Sequence, residues 1–341
     1  MTSATSTVSL VLFLLSLFCL GSWITTFKLA GKGWRFELFA VDFTLGTVVF
    51  SSLAAFALGN SLSDLPFSDR ILLSSKTAQV LVLLAGLVFG LANFLLLGAV
   101  SLLGIAGSFP LCIGLGLIVN ALLNFRFYHP GALFAGLALL VFSVILDGRA
   151  CRSRDLAMPV TKKATNQPPK AKGVRSFRGL TVAVIGGILL GTVYPLAEGG
   201  LYGDLGLGPY AGLLFFCVGV LISTLLFSVV FFNIALEGPR LNVHSYFAAQ
   251  PRRHLFGLAG GAFWAVGVLS ALLAKPAVAG VPSQQPLTGF LPLGSALLAM
   301  LWGALIWREF AAAPPKARLS LAGTAVLLVV GSLLIGSAYI R

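Results

Sequence analysis

The sequence predicts an all-α, polytopic membrane protein: ten transmembrane helices arranged as two inverted five-helix repeats. Three observations predict it. Hydrophobic residues make up 58% of the 341 and charged residues only 10%, against about 25% charged in a soluble domain. The charges fall in gaps between apolar stretches of about 20 residues, the length that crosses the hydrocarbon core of a bilayer. Short matches also recur, in the same order, in the two halves of the chain.

Taken in order, the predicted spans are 7–28, 42–60, 77–99, 103–125, 130–147, 179–199, 209–233, 255–274, 285–307 and 319–340. The first is expected to be a retained helix, because no positive segment precedes it and no small-residue cleavage site ends it. The uncharged run from Thr77 to Phe125 is too long for one span and is divided near Ser101–Gly107, where Ser and Gly permit a turn. The run from Pro276 to Trp307 opens on PAVAGVPSQQP, which places the start of its helix near Pro286.

Residues 1–147 then form a first repeat, 148–178 a basic linker and 179–341 a second repeat. The linker carries nine Lys and Arg with Pro168 and Pro169, a composition that resists folding. With the N-terminus outside, eighteen of the 23 Lys and Arg fall in inside loops. The positive-inside rule therefore places both termini outside. The net charge of +13 sits in these loops rather than on one face, which argues against nucleic acid as a partner. The expected partners are the lipid bilayer and a small-molecule substrate.

The repeat is read from four matches. Leu20-Gly21-Ser22 pairs with Leu190-Gly191-Thr192, and Leu84-Ala85-Gly86 with Leu258-Ala259-Gly260. Pro110-Leu111 pairs with Pro286-Leu287, and Phe134-Ala135-Gly136 with Leu321-Ala322-Gly323. Five helices per half is odd, so the second half inserts upside down, as in many secondary transporters, whose substrate site lies near the midplane between repeats. GxxxG pairs at Gly86/Gly90, Gly187/Gly191 and Gly257/Gly261 are expected to let helices approach closely.

Three segments carry a family resemblance: GSWITTFKLAGKGWRFELFAVDFTLG (Gly21 to Gly46), FPLCIGLGLIVNALLNF (Phe109 to Phe125) and LWGALIWREF (Leu301 to Phe310). They resemble bacterial relatives of the ureide permeases, within the drug/metabolite transporter superfamily near its glucose/ribose porter branch. The resemblance implies a ten-helix permease for a sugar, nucleobase or ureide in the bacterial inner (cell) membrane. A drug, metabolite or amino-acid exporter of the same superfamily is the alternative, and it predicts a larger and more apolar pocket. Plant ureide permeases are described with a nucleotide-binding-like motif in the central loop; this chain has no GxxxxGK[ST] there, so no ATP coupling is expected.

Polar groups deep in a span are costly and need a reason. No charged residue falls at the centre of a predicted span, which points to a neutral or weakly charged substrate. The candidate binding residues are Trp23, Asn93, Tyr194, Trp264, Gln284 and Gln285, where amides and hydroxyls would meet polar groups and indoles would stack on apolar faces. Pro195 is expected to kink the sixth span. Lys28 and Glu198 each follow a repeat-related glycine by seven residues and are the expected gating charges at opposite membrane faces; Asp42 and Glu309 are the other carboxylates a coupling ion could use. Arg35, Glu37 and Asp42 are alternatively a salt-bridged loop beside Trp34 as an interface anchor. No cofactor and no metal site are expected, and a coupling ion would be a proton or sodium. His129, His244 and His254 show no ligand spacing, and no nucleophile-and-base pair or selectivity filter is present, so the sequence argues against an enzyme or a channel.

Overall fold

The structure, a computed structural model, describes residues 2–31, 33–61, 65–123, 128–157, 174–234, 236, 239–274 and 291–338. Among these it is entirely helical. The helices are α1 (Thr2–Ser22), α2 (Thr25–Leu29), α3 (Phe36–Leu53), α4 (Gly59–Ser61), α5 (Phe67–Leu73), α6 (Lys76–Leu103), α7 (Ile105–Leu123), α8 (Pro130–Ala157), α9 (Val174–Leu201), α10 (Gly208–Asn233), α11 (His244–Phe247), α12 (Pro251–Leu273), α13 (Leu291–Leu301) and α14 (Pro315–Ala338). Single π-turns extend α3 over Ala54–Leu58 and α13 over Trp302–Ile306. Eight helices are long and apolar enough to cross a membrane; the stretches Thr7–Ser22 and Leu291–Ile306 are apolar but shorter. The protein is therefore an integral membrane protein by the character of its helices.

Local chemistry explains the boundaries. The first span breaks at Trp23–Ile24, where Thr25 and Thr26 turn their hydroxyls back onto the carbonyls of Ser22 (2.6 Å) and Trp23 (2.7 Å). Ser75 caps α6 by accepting from the Ala78 N–H at 3.1 Å. The expected division of 77–125 falls at Gly104, whose φ of +83° ends α6 and lets α7 start one residue later.

Three boundaries matter most among those that differ from the sequence reading. Helix α3 starts at Phe36 rather than 42, so Glu37 and Asp42 are buried within it. Helix α8 runs ten residues past 147, and α9 starts at Val174. Both ends of the expected linker are thus helical, while 158–173 lie outside the described residues. The extension is amphipathic: Asp147, Ala150, Cys151 and Arg154 are buried, as helical spacing dictates, while Arg152 is exposed.

The helices pack around a common core. α6 packs on α9 and α10, α12 on α1 and α3, α7 on α9 and α13, α1 on α13, α3 on α10, and α8 on α14. Glycine sets the spacing. A β-carbon on Gly86 would stand 2.1 Å from the Phe216 carbonyl oxygen, and one on Gly219 would stand 2.2 Å from that of Leu83. The same holds between α3 and α12, for Gly261 against the Phe43 oxygen (1.9 Å) and Gly46 against that of Leu258 (2.1 Å). All three GxxxG pairs sit at such approaches, including Gly187 against the Cys112 carbonyl oxygen (2.7 Å) and Gly257 against Asp42 Cβ (2.2 Å). Backbone contact of this kind is how helices associate where lipid offers no hydrophobic driving force.

Gly261→Ala is expected to destabilise the protein by about 1–3 kcal/mol, because the Phe43 carbonyl cannot move aside cheaply. Gly131, with nothing within 4 Å, is the control. Thermal unfolding of the two variants in detergent checks this: a lowered midpoint for Gly261→Ala and none for Gly131→Ala.

Candidate substrate cavity and its closed end

The helix packing leaves a cavity of about 360 Å³ between α1, α6, α7, α9, α10, α12 and α13. It extends from the α1–α2 break, where Trp23 lies, to the far ends of α7 and α9, marked by Asn120 and Tyr202. Of the six binding residues expected from sequence, Trp23, Asn93, Tyr194 and Trp264 line it. Gln284 and Gln285 lie outside the described residues.

Its deep end is aromatic. Trp264 stacks on Phe89 (4.7 Å between ring centres) and on Phe216 (6.0 Å), and meets Phe43 at 6.0 Å. Trp23 packs on Phe43 (4.7 Å) and Phe109 (6.2 Å). Among these rings Asn93 is 3% exposed, and its carboxamide oxygen has no hydrogen-bond partner among the described residues. A buried amide left unpaired is uncommon and costs about 1–3 kcal/mol. Tyr194 and Tyr202 stand at the end away from Trp23 with Glu198, whose charge faces both phenols. Most of the remaining lining is aliphatic or aromatic.

Beyond Trp23 the opposite end is sealed by polar contacts. Lys28 Nζ lies 2.8 Å from Glu309 Oε1. Glu309 also accepts from the N–H groups of Ile105 (3.0 Å) and Ala106 (2.8 Å), so it caps the start of α7. The helix dipole and the two orphan donors both favour a carboxylate there. A β-carbon on Gly104 would come 2.6 Å from Glu309 Oε2, so only glycine fits the position in space as well as in φ. This contact joins the end of the first span, the start of α7 and the segment after α13. Lys28 borders Val100 and Gly104 at the C-terminal end of α6, whereas Gly199 and Gly200, next to Glu198, meet Leu81 and Ala78 near its N-terminal end. The two expected gating charges therefore lie at opposite ends of the bundle.

Asp42 is 1% exposed and belongs to a second contact at the sealed end. It accepts from the Tyr246 hydroxyl and lies 2.9 Å from His254 Nδ1, while His254 Nε2 faces the Tyr246 carbonyl at 3.1 Å. Burial, and then the bond to Asp42, raise the Tyr246 pKa above its ordinary value, so the phenol stays a donor. Trp34 is 4% exposed, with its ring 5.0 Å from that of His254. It is a core residue and not an interface anchor. Arg35 pairs with Glu37 rather than with Asp42. His254, Tyr246 and the buried Asp147 were not singled out from sequence. The partners of Asp42 are more than 200 residues away, and no local pattern marks them.

No family model matches the chain, and no curated protein matches it. A solved structure described as "Crystal structure of protein" is similar over 97% of this chain and 96% of that one, at 17% identity with a TM-score of 0.47.

Glu309→Gln is expected to lower stability more than Lys28→Met, by on the order of 1 kcal/mol, since it weakens two backbone bonds as well as the ion pair. Thermal unfolding of both single variants and the double variant measures the difference. Equal losses would mean that the helix cap contributes nothing.

Proposed function

We infer that the protein is a secondary transporter that moves a small neutral solute by alternating access. The observation that carries this is Asn93: a buried carboxamide oxygen without a partner among the described residues, set in an aromatic box that lines the cavity. Such a group is stable only if a ligand donor or a water completes it. A planar solute with an N–H donor, such as a nucleobase or ureide, can stack on Trp264 or Trp23 while donating to Asn93. A sugar offers the donors but less flat surface.

Support for two inverted repeats of five spans comes from the packing. Exchanging α1 with α9, α3 with α10, α6 with α12, α7 with α13 and α8 with α14 maps the main helix contacts onto one another. The glycine contacts follow in detail. Phe43 and Phe216, and Gly46 and Gly219, differ by 173; Leu83 and Leu258, and Gly86 and Gly261, differ by 175. Gly21 meets Leu298 as Gly191 meets Val119, and Gly294 meets Leu17 as Gly187 meets Leu115. This pairing favours a register one residue from the Leu84/Leu258 match. On this reading the spans number ten, with the two shorter apolar stretches as the first and ninth. The positive-inside orientation then puts the cavity mouth outside and the Lys28–Glu309 contact inside.

The mostly aliphatic lining favours a second reading, an exporter of apolar or aromatic metabolites from the same superfamily. A thermal-shift screen of purified protein with nucleobases, ureides, sugars, amino acids and lipophilic cations separates the two. The first reading expects a dose-dependent shift with a planar N–H-bearing solute. It also expects Asn93→Leu to weaken binding at least tenfold, about 1.4 kcal/mol. A shift with lipophilic cations alone moves the conclusion to the exporter, and no shift with any of them removes the support for a carrier.

A further inference from the structure

A carboxylate outside the cavity carries a second inference, which rests on the alternating-access reading. Asp147 in α8 is 0% exposed, and neither of its carboxyl oxygens has a hydrogen-bond partner among the described residues. Arg154, two turns further on, is 7% exposed, and its Nε is likewise unpartnered. The Arg154 guanidinium sits 4.8 Å over the Phe310 ring and borders the small inner pocket that Lys28 and Glu309 also line. The titratable and charged groups facing Asp147 are Arg154 and Cys151 from its own helix and Cys112 from α7. From α9 and α14 the neighbouring groups are Leu180, beside Gly148, and the Thr324 carbonyl, which accepts from Ser143. Glu309 and Asp155 face Cys151 one turn on.

An ionised carboxylate sealed from water with no donor on either oxygen is among the costliest arrangements in a protein, whereas its protonated form is neutral. Arg154 is the cation within reach. Seven residues of helix span about 10 Å, and side chains lean toward the N-terminus, so an extended arginine can reach back to Asp147. Arg154 thus has two possible partners, the Phe310 ring and the Asp147 carboxylate. Phe310 adjoins Glu309, so an opening in which Glu309 withdraws from Lys28 and from the start of α7 also removes the ring from Arg154.

We propose that Asp147 is a proton-binding site that couples the inner gate to the pH of the inner water, with Arg154 as its switch. While the gate is closed, Arg154 rests on Phe310 and Asp147 holds a proton. When the gate parts, Arg154 swings onto Asp147, the carboxyl O–H bond breaks, its electrons stay on the carboxylate, and the proton leaves to the inner water. When the gate closes, Arg154 returns to Phe310 and Asp147 takes a proton back from the same water.

Infrared difference spectroscopy on the reconstituted protein, at neutral pH and without solute, tests this. Wild type minus Asp147→Asn is expected to show the C=O stretch of a protonated carboxyl group. That band is expected to vanish in Glu309→Ala, which frees the segment carrying Phe310 from both Lys28 and α7, and to return when Arg154→Gln is added. Asp147→Glu keeps a titratable group and is expected to shift the band, which guards against a variant that fails to fold. No band in wild type means an ionised Asp147 and overturns the proposal; a band that persists in Glu309→Ala overturns the coupling. Because no solute is involved, failure of the carrier reading in the binding screen stays distinguishable from failure here.

Discussion

The close approach of helix backbones at paired glycines is the constraint on which the rest of the structure depends. Gly46, Gly86, Gly219 and Gly261 each bring a neighbouring carbonyl oxygen to where a β-carbon would otherwise stand. With lipid as solvent there is no water to expel, so packing and interhelical polar contacts must hold the bundle together. The same contacts bring Thr44 within 2.8 Å of Thr224, and Cys217 against Ser51 and Thr47, between α3 and α10. Four of these five positions repeat the 173-residue offset, since Thr44 corresponds to Cys217 and Ser51 to Thr224. Tight spacing on either side of α3 and α10 leaves the open volume elsewhere, between α1, α6, α9 and α12, and that is where the cavity lies.

The two ends of that cavity are made of different material. Near Trp23, the end of the cavity toward Lys28 and Glu309 is closed by a layer of rings, Phe43 and Phe109 among them, and behind it lies a polar layer. Rings can separate and leave nothing unsatisfied. The polar layer cannot, because parting Glu309 from α7 strands two backbone donors and the Lys28 ammonium together. In the proposed carrier, the polar layer is therefore the costlier of the two to part.

Much of this was legible in the chain. The ten apolar stretches, the turn at Gly104 and the GxxxG contacts follow from composition and from the special geometry of glycine. Trp23, Asn93 and Trp264 could be found because a polar or amphipathic side chain inside an apolar span needs a partner. The pairings could not. Asp42 meets His254 and Tyr246, and Lys28 meets Glu309, only after helices from the two halves cross. Asp147 was hidden for a different reason: the fifth span was ended on it, as a charge at the edge of the membrane, while α8 continues for three more turns, with Arg154 buried by its aliphatic stem and Phe310. A hydrophobicity pattern marks where a helix may sit in lipid, not where its hydrogen bonds stop.

The break in the first span links the two layers. Trp23 borders the cavity, and Lys28, five residues later in the short helix α2, pairs with Glu309. Ser22, just before the break, accepts from Trp302 Nε1 at 2.9 Å, which anchors α1 to the π-turn that leads to Glu309. On its other side α2 rests on α12, where a β-carbon on Gly260 would stand 2.4 Å from Thr26 Oγ1. In the proposed carrier, a solute that stacks on Trp23 acts on α2 directly, and any shift of α2 draws on both the Lys28–Glu309 pair and the Thr26–Gly260 approach. The glycine packing that keeps the cavity in shape therefore also ties its floor to α12.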